Sequence, residues 1–316
     1  ELVSEDAYHE LAQMRSGQLI SKYKEAIGES VSCHMISDAK VGVMFSGGVD
    51  SSLIAAVTRQ IGGAEVALFH FVSALDDTPT YVASFKKQFA ADLRELRYDE
   101  NEVIFDMPRM IYNYETINKE EGTVLSKVCN AARQEGYRAI LTGDGADELF
   151  GGYALHKSFY TRSAISNSRL MMLVLRLFKR AFPGLEHSGD RPKGTDYFMF
   201  PSDLSLLEVP LNILLHGGSR LAAWEKCLEA YDFLKNPTER ETAAYLLDDV
   251  AYRLQRYMIR ADRMGMMESV ELRIPYLHLP ILRMAVNTPV KWRIGLTALG
   301  RRPDILSPFN EKKILK

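Results

Sequence analysis

Cysteine is scarce in this chain. Its 316 residues include three, Cys33, Cys129 and Cys227, an odd number and far apart. They build neither a disulfide framework nor a Cys-x-x-Cys metal pair, which leads us to expect a reducing, cytoplasmic setting. Charge of one sign is missing too. Lys plus Arg number 39 against 41 Asp plus Glu, for a formal net charge of -2, so nothing favours non-specific attraction to nucleic acid or to an anionic membrane. Lys179-Arg180 and Arg301-Arg302 are too short for a nucleic-acid patch. Long hydrophobic runs are absent as well. The most apolar stretch, Leu170 to Phe178, contains Arg176 and falls far short of the ~20 residues of a spanning helix. The opening Glu-Leu-Val-Ser-Glu-Asp is acidic, unlike a signal peptide, and has no initiator methionine, as in a processed chain or a fragment. Neither repeats nor low-complexity tracts occur, which excludes solenoids and propellers. The 7 histidines are scattered without metal-ligand spacing, and the Met-rich stretch Met258 to Met267 reads as core.

What is present is ordinary globular material, 47% hydrophobic and 25% charged, of a length for roughly two domains. Apolar spacing predicts a leading helix over Asp6–Ala26. Val41 to Phe45 is a short apolar run, the pattern of a strand buried on both faces. Alternation then predicts a helix over Leu53–Gln60, a strand over Glu65–Val72 and a helix over Thr78–Leu96. A third strand is expected at Glu102–Phe105, a helix over Val124–Gln134 and a fourth strand over Ala139–Thr142. Strands alternating with helices imply right-handed crossovers and a parallel sheet. Beyond Tyr153 the pattern turns helical, over Thr161–Phe182, Leu221–Leu234 and Glu239–Asp262, with a Gly- and Pro-containing loop from Pro183 to Asp203. The expected division is a leading helical segment over 1–30, an α/β core over 31–153 and a mainly helical region over 154–316 that completes the active site.

Ser46-Gly47-Gly48-Val49-Asp50-Ser51-Ser52 lies between a buried-strand pattern and a helix start. Two consecutive glycines let several amide N–H groups converge on one anion. The Ser51 and Ser52 hydroxyls and the positive helix end add to that pull. This is no Walker A loop, because no Gly-Lys-Ser/Thr follows, and no Gly-x-Gly-x-x-Gly dinucleotide fingerprint. Asp50 would repel bare phosphates, so its presence implies Mg²⁺ bridging to them. With its strand–loop–helix context, the segment resembles the signature of the PP-loop ATP pyrophosphatases, which cleave ATP between the α- and β-phosphates.

A second acidic loop follows the fourth strand pattern: Thr142-Gly143-Asp144-Gly145-Ala146-Asp147-Glu148-Leu149-Phe150-Gly151-Gly152-Tyr153. Asp144, Asp147 and Glu148 would be costly to bury without partners. At the C-terminal end of a parallel strand they stand where such sheets bind ligands. Gly-Asp-Gly-Ala-Asp-Glu-Leu-Phe-Gly-Gly-Tyr is similar to the motif of the asparagine synthetase branch of that superfamily. Ile36-Ser37-Asp38, the segment Asp262 to Leu277 (ending Arg273-Ile274-Pro275-Tyr276-Leu277, where the family pattern reads Arg-x-Pro-Phe-Leu) and Glu311 to Lys316 agree with it. The resemblance runs from about residue 30 to the end.

The resemblance implies an α/β fold, a parallel-sheet PP-loop domain followed by a mainly helical region. It implies an ATP-dependent carbon–nitrogen ligase that adenylates a carboxylate, releases pyrophosphate and lets ammonia or an amine displace AMP. ATP and Mg²⁺ are the expected cofactors. Ser46, Gly47, Gly48, Ser51 and Ser52 would hold pyrophosphate, and Asp50 and Asp147 the metal. Val43, Phe45 and Val72 would line the adenine, and Gly143 the ribose, the α-phosphate or the substrate carboxylate. Asp144 and Asp147 are the expected catalytic residues, Asp144 standing where several asparagine synthetases have glutamate. Tyr153 and Arg273 are secondary candidates, and Glu271 with Arg273 reads as a buried ion pair. The expected partners are a small-molecule or peptide carboxylate and an amine donor, with no nucleic acid and no membrane. Room remains for a homodimer and for a glutaminase domain or partner subunit outside this chain, since no cysteine precedes Cys33. The family's adenylation lysine is expected beyond Lys316. His278, where the family usually has aspartate, and unusual residues over Leu75–Asp99 and Tyr114–Leu125 keep open a specialised β-lactam or peptide macrolactam synthetase, and the absence of the lysine region keeps open a non-catalytic nucleotide-binding subunit.

Overall fold

A computed structural model describes residues 2–62, 66–73, 80–89, 92–98, 100–115, 121–169, 222–296 and 309–311. Five strands form one sheet: β1 (Lys40–Met44), β2 (Ala67–Ser73), β3 (Asp92–Tyr98), β4 (Tyr137–Leu141) and β5 (Glu271–Arg273). Their order is β3-β2-β1-β4-β5 and every pairing is parallel. The expected α/β class, with a parallel sheet and a largely helical remainder, is what the chain adopts. Val41, Val43, Leu68, Phe69, Ile140 and Leu141 are all buried, as central strands covered on both faces should be.

The helices of the N-terminal half are α1 (Glu5–Gln13), α2 (Ser16–His34), α3 (Val49–Gly62), α4 (Thr80–Phe89), α5 (Glu100–Tyr114), α6 (Glu121–Gln134) and α7 (Ala146–Phe150). The single leading helix expected from spacing is two, because Arg15 is extended (φ -75, ψ 154) and its N–H is taken by the Gln18 side chain at 2.9 Å. A larger correction concerns the third strand. Asp92–Tyr98, which spacing merged into a helix, is β3, whereas Glu102–Phe105 lies inside α5. The reason is position in the sheet. Among the described residues β3 pairs only with β2, so an edge strand rich in Asp, Arg and Glu is tolerated and lacks the apolar pattern of its neighbours. In α5, Met110 is buried while Ile104 and Phe105, which looked like part of a strand, are exposed.

The chain divides into two compact units. The first joins Gln13–Asp147 to Tyr252–Ala285 and contains the sheet. After α7 the described helices are α8 (Ala154–Asn167), α9 (residues 222–229), α10 (Pro237–Asp248), α11 (Leu254–Met267), α12 (Leu279–Val286) and α13 (Val290–Arg293). In the first unit, Met264 of α11 joins Phe69, Met110, Val128, Cys129 and Ile140 in one buried cluster. Not all of the Met-rich stretch is core, since Met258 and Met266 are exposed. At the end of α11, buried Glu268 accepts hydrogen bonds from Ser126 (2.8 Å) and Asn130 (3.0 Å) and an ion pair from Arg109 (2.9 Å). Burial, reinforced by that carboxylate, pushes the Cys129 thiol up to about 12, which keeps it protonated and inert.

The second unit gathers Glu1–Ala12, Glu148–Ala251 and Val286–Lys313. Its core includes Tyr8, Phe159, Trp224, Tyr231, Leu246 and Val290, and Phe159 stacks on Tyr245 with ring centroids 4.2 Å apart. Asn236 caps α10, accepting from the amides of Thr238 and Glu239 at 3.0 and 3.3 Å. Helical spacing over Glu239–Asp262 is realised as α10 and α11, separated by a π-helical turn at Asp249–Arg253. Antiparallel β6 (Ile294–Leu296) and β7 (Phe309–Glu311) complete the unit. The loop Pro183–Asp203 and most of the expected helix Thr161–Phe182 lie outside the described residues. Among the described residues, no helix is long and apolar enough to cross a membrane. Removing the carboxylate in Glu268→Ala is expected to cost about 2–4 kcal/mol of unfolding free energy, by stranding buried donors. Urea titration followed by circular dichroism measures this.

Candidate active site

The chain runs from β1 outward through β2 and β3, then returns to place β4 and β5 on the other side of β1. Open parallel sheets bind ligands beyond the strand C-termini where the order turns in this way. Both candidate loops leave the sheet at that point, one after β1 and one after β4.

The first loop is held tightly. The Ser46 and Ser51 hydroxyls are 2.9 Å apart, and the Ser46 N–H donates to Ser51 Oγ at 3.1 Å. The Gly48 N–H donates to Ser46 Oγ at 3.3 Å and the Ser52 N–H to Gly48 O at 3.0 Å. The amides of Ser46 and Ser52 are thus already engaged within the loop. Gly47 has φ +80, and a Cβ there would stand 2.4 Å from Tyr81 Cε2 and 2.7 Å from Val82 Cγ2. Any side chain there would carry left-handed strain and would force the Tyr81 and Val82 side chains aside. α3 starts at Val49, so its first-turn amides put a partial positive charge at the end of the loop.

The second loop packs directly on this helix start. A Cβ at Gly143 would lie 2.9 Å from Ser51 N and 3.2 Å from Asp50 Cβ, so only glycine allows the approach. The Thr142 N–H donates to Arg273 O at 2.9 Å, which ties the loop to β5. Its hydroxyl donates to Asp144 Oδ2 at 2.8 Å and so orients that carboxylate. Tyr276, in the 3-10 turn Pro275–Leu277 after β5, is fully buried and donates its hydroxyl to Asp50 O at 3.2 Å. Burial, then the carboxylates of Asp50 and Asp147, raises its pKa well above the usual phenol value. Asp50 and Asp147, far apart in sequence, therefore both act on one phenol.

Val43, Phe45 and Val72 are buried. The Phe45 N–H donates to Phe69 O at 2.9 Å, and the Phe45 carbonyl faces His70 Nδ1 at 2.8 Å. His70 and Tyr276 were not singled out by pattern: His70 sits in an apolar strand, and Tyr276 differs only by a hydroxyl from the phenylalanine of the family segment. The Glu271–Arg273 ion pair exists at 3.1 Å but is not buried, because the Glu271 side chain is 60% exposed. Arg273 instead donates to the carbonyls of His34 (2.6 Å) and Ile36 (2.9 Å), capping the end of α2. In the second unit, Tyr153 donates its hydroxyl to buried Glu148 Oε1 at 2.7 Å. The Tyr153 N–H donates to His156 Nδ1 at 3.3 Å, so His156 Nε2 carries the proton it gives to Asp249 Oδ2 at 2.7 Å. Lys312, Lys313 and Lys316 lie outside the described residues.

A model of the Asparagine synthase family matches residues 22–316. The chain belongs to the asparagine synthase family. It is 23% identical over 298 residues to asparagine synthetase [glutamine-hydrolyzing] 1 of Bacillus subtilis (strain 168), covering 90% of this chain and 46% of that protein. To asparagine synthetase B [glutamine-hydrolyzing] of Escherichia coli (strain K12) it is 26% identical over 177 residues, 50% of this chain and 32% of that protein. To asparagine synthetase [glutamine-hydrolyzing] 1 of Arabidopsis thaliana it is 30% identical over 150 residues, 43% of this chain and 25% of that protein. The chain thus spans less than half the length of each of these relatives. Within this asparagine synthase-family chain, Gly47→Ala is expected to lower stability by about 1–3 kcal/mol through left-handed strain and collision with α4. Gly48→Ala, whose Cβ would stay 3.4 Å from Ser46 Oγ, should cost under about 1 kcal/mol. Paired denaturant titrations compare the two.

Proposed function

We propose that this chain is an amide ligase of the asparagine synthetase type. It adenylates a substrate carboxylate with ATP, and ammonia or another amine then displaces AMP. The observation that carries this reading is the meeting of two loops at the turn of the strand order, where Gly143 of the loop that leads to Asp147 packs against Asp50 and Ser51. Phosphate-binding loops are common, but a pair of carboxylates next to one suits phosphates that arrive with a divalent cation.

The residues fit such an ion. Among the described residues no group of three or more His, Cys, Asp and Glu could hold a metal. A magnesium ion carried on phosphates needs only one or two protein carboxylates, because phosphate and water oxygens fill the remaining positions. Asp50 and Asp147 are that donor set. When bound, magnesium would offset the charge of the departing pyrophosphate.

The rest of the chemistry falls to the chain itself. The loop residues Ser46, Gly47, Gly48, Ser51 and Ser52, with the α3 N-terminus, hold the β- and γ-phosphates, which take over the bonds that Ser46, Gly48 and Ser51 otherwise make to one another, while a carboxylate oxygen attacks the α-phosphorus in line. The Pα–O bond to pyrophosphate breaks as the acyl–phosphate bond forms. Asp144 is held by Thr142 at the loop packed against this helix start. It binds the incoming ammonium or amine and accepts the proton shed as nitrogen attacks the acyl carbon and AMP leaves. Val43, Phe45 and Val72 line the adenine, and Gly143 faces the ribose or the α-phosphate. The relatives named above hydrolyse glutamine, so a glutaminase domain or subunit is the natural amine source.

ATP–pyrophosphate exchange, run against a panel of carboxylic acids, tests the reading. Acid-dependent exchange with AMP as product is the expected result. ADP as product, or exchange blind to every acid while nucleotide still binds, would overturn it and favour a nucleotide-binding subunit. Asp144→Asn should retain exchange and lose amide formation by about 10²–10⁴-fold; a variant with both steps intact removes the role given to Asp144.

A further inference from the structure

We infer that the 3-10 turn Pro275–Leu277 is a brace that sets the spacing of the two metal-binding carboxylates, with the Tyr276 hydroxyl as its positioning group. The inference rests on the reading of Asp50 and Asp147 as the magnesium donors and goes beyond it.

The turn touches both carboxylate-bearing loops within two consecutive residues. Tyr276 donates to the Asp50 carbonyl at 3.2 Å, in the first turn of α3. Leu277 lies against the other loop, where a Cβ on Gly145 would come 3.1 Å from Leu277 Cδ2, two residues before Asp147. The turn is itself anchored on its N-terminal side. Pro275 accepts a hydrogen bond through its carbonyl from Ser30 of α2 at 2.7 Å. The preceding strand holds the second loop through Arg273 O and the Thr142 N–H. Tyr276 is completely buried, so its ring has no freedom to follow a moving loop.

A side chain whose only task was to fill space would not need that hydroxyl. The family segment this stretch resembles has phenylalanine at the position, and the ring alone would occupy nearly the same volume. Magnesium demands near-ideal octahedral placement of its oxygen ligands, so a shift of a few tenths of an ångström at Asp50 penalises metal binding more than nucleotide binding. Tyr276 is thus a positioning residue, acting through Asp50.

Tyr276→Phe separates the roles. For wild type and variant in the 316-residue chain, calorimetry gives the affinity for ATP with EDTA and for ATP with Mg²⁺. Electron paramagnetic resonance gives the affinity for Mn²⁺ in the presence of ATP, and thermal unfolding monitors the fold. The expected result is Mn²⁺ and Mg·ATP affinities weakened about three- to tenfold, with metal-free ATP affinity and the unfolding midpoint retained. Leu277→Val, which thins the other contact, should produce the same selective weakening. Unchanged metal affinity in both variants overturns the brace, as does equal weakening of ATP with and without metal. Wild type that binds no Mg·ATP overturns the parent reading instead, so the two failures are told apart.

Discussion

A side chain at position 143 would collide with Ser51 and Asp50, so the loop after β4 reaches the start of α3 only as glycine. That steric condition brings two regions of negative charge, nearly a hundred residues apart in sequence, to the same end of the sheet. Like charges crowded together normally cost stability. Here the loop ahead of α3 is tied by hydrogen bonds among Ser46, Gly48 and Ser51, and the helix end adds positive charge.

The sheet supplies the rigidity this needs. β1 and β4 are adjacent, parallel and buried, so the loops that leave them share a fixed origin. β5 extends the frame, and through Arg273 it reaches both the second loop, by its carbonyl, and the end of α2, by its guanidinium. Arg273 is consequently better understood as a connector than as half of a buried ion pair. Glu268, just ahead of β5, does comparable work on α5 and α6 through Arg109, Ser126 and Asn130. Residues 252–285 therefore belong physically with the sheet, although in sequence they follow a long helical stretch.

The second unit presents a different kind of order. Its core is aromatic, with Tyr8, Phe159, Trp224 and Tyr231 buried together. Among its buried polar groups, Glu148 pairs with Tyr153 and His156 with Asp249. Such pairing is what allows ionisable groups inside an apolar surround. The division between the units falls within α7, separating Asp147 from Glu148. Two adjacent acids of one motif thus enter different environments: Asp147 acts on Tyr276, while Glu148 is buried and hydrogen-bonded to Tyr153.

By itself the amino-acid sequence determined the local features: a glycine-rich loop ahead of a helix, an acidic loop after a strand, and the alternation that makes an α/β fold. Those features are written in contiguous residues, because turn glycines, capping groups and buried strands act over a few positions. It misjudged β3 and α5, since an edge strand facing solvent carries charges that mimic a helix pattern. Tertiary structure alone decided that β4 lies beside β1, that Tyr276 hydrogen-bonds to the Asp50 carbonyl, and that Glu271 is exposed. These depend on contacts between segments distant along the chain, whose spacing is set by packing rather than by any local preference.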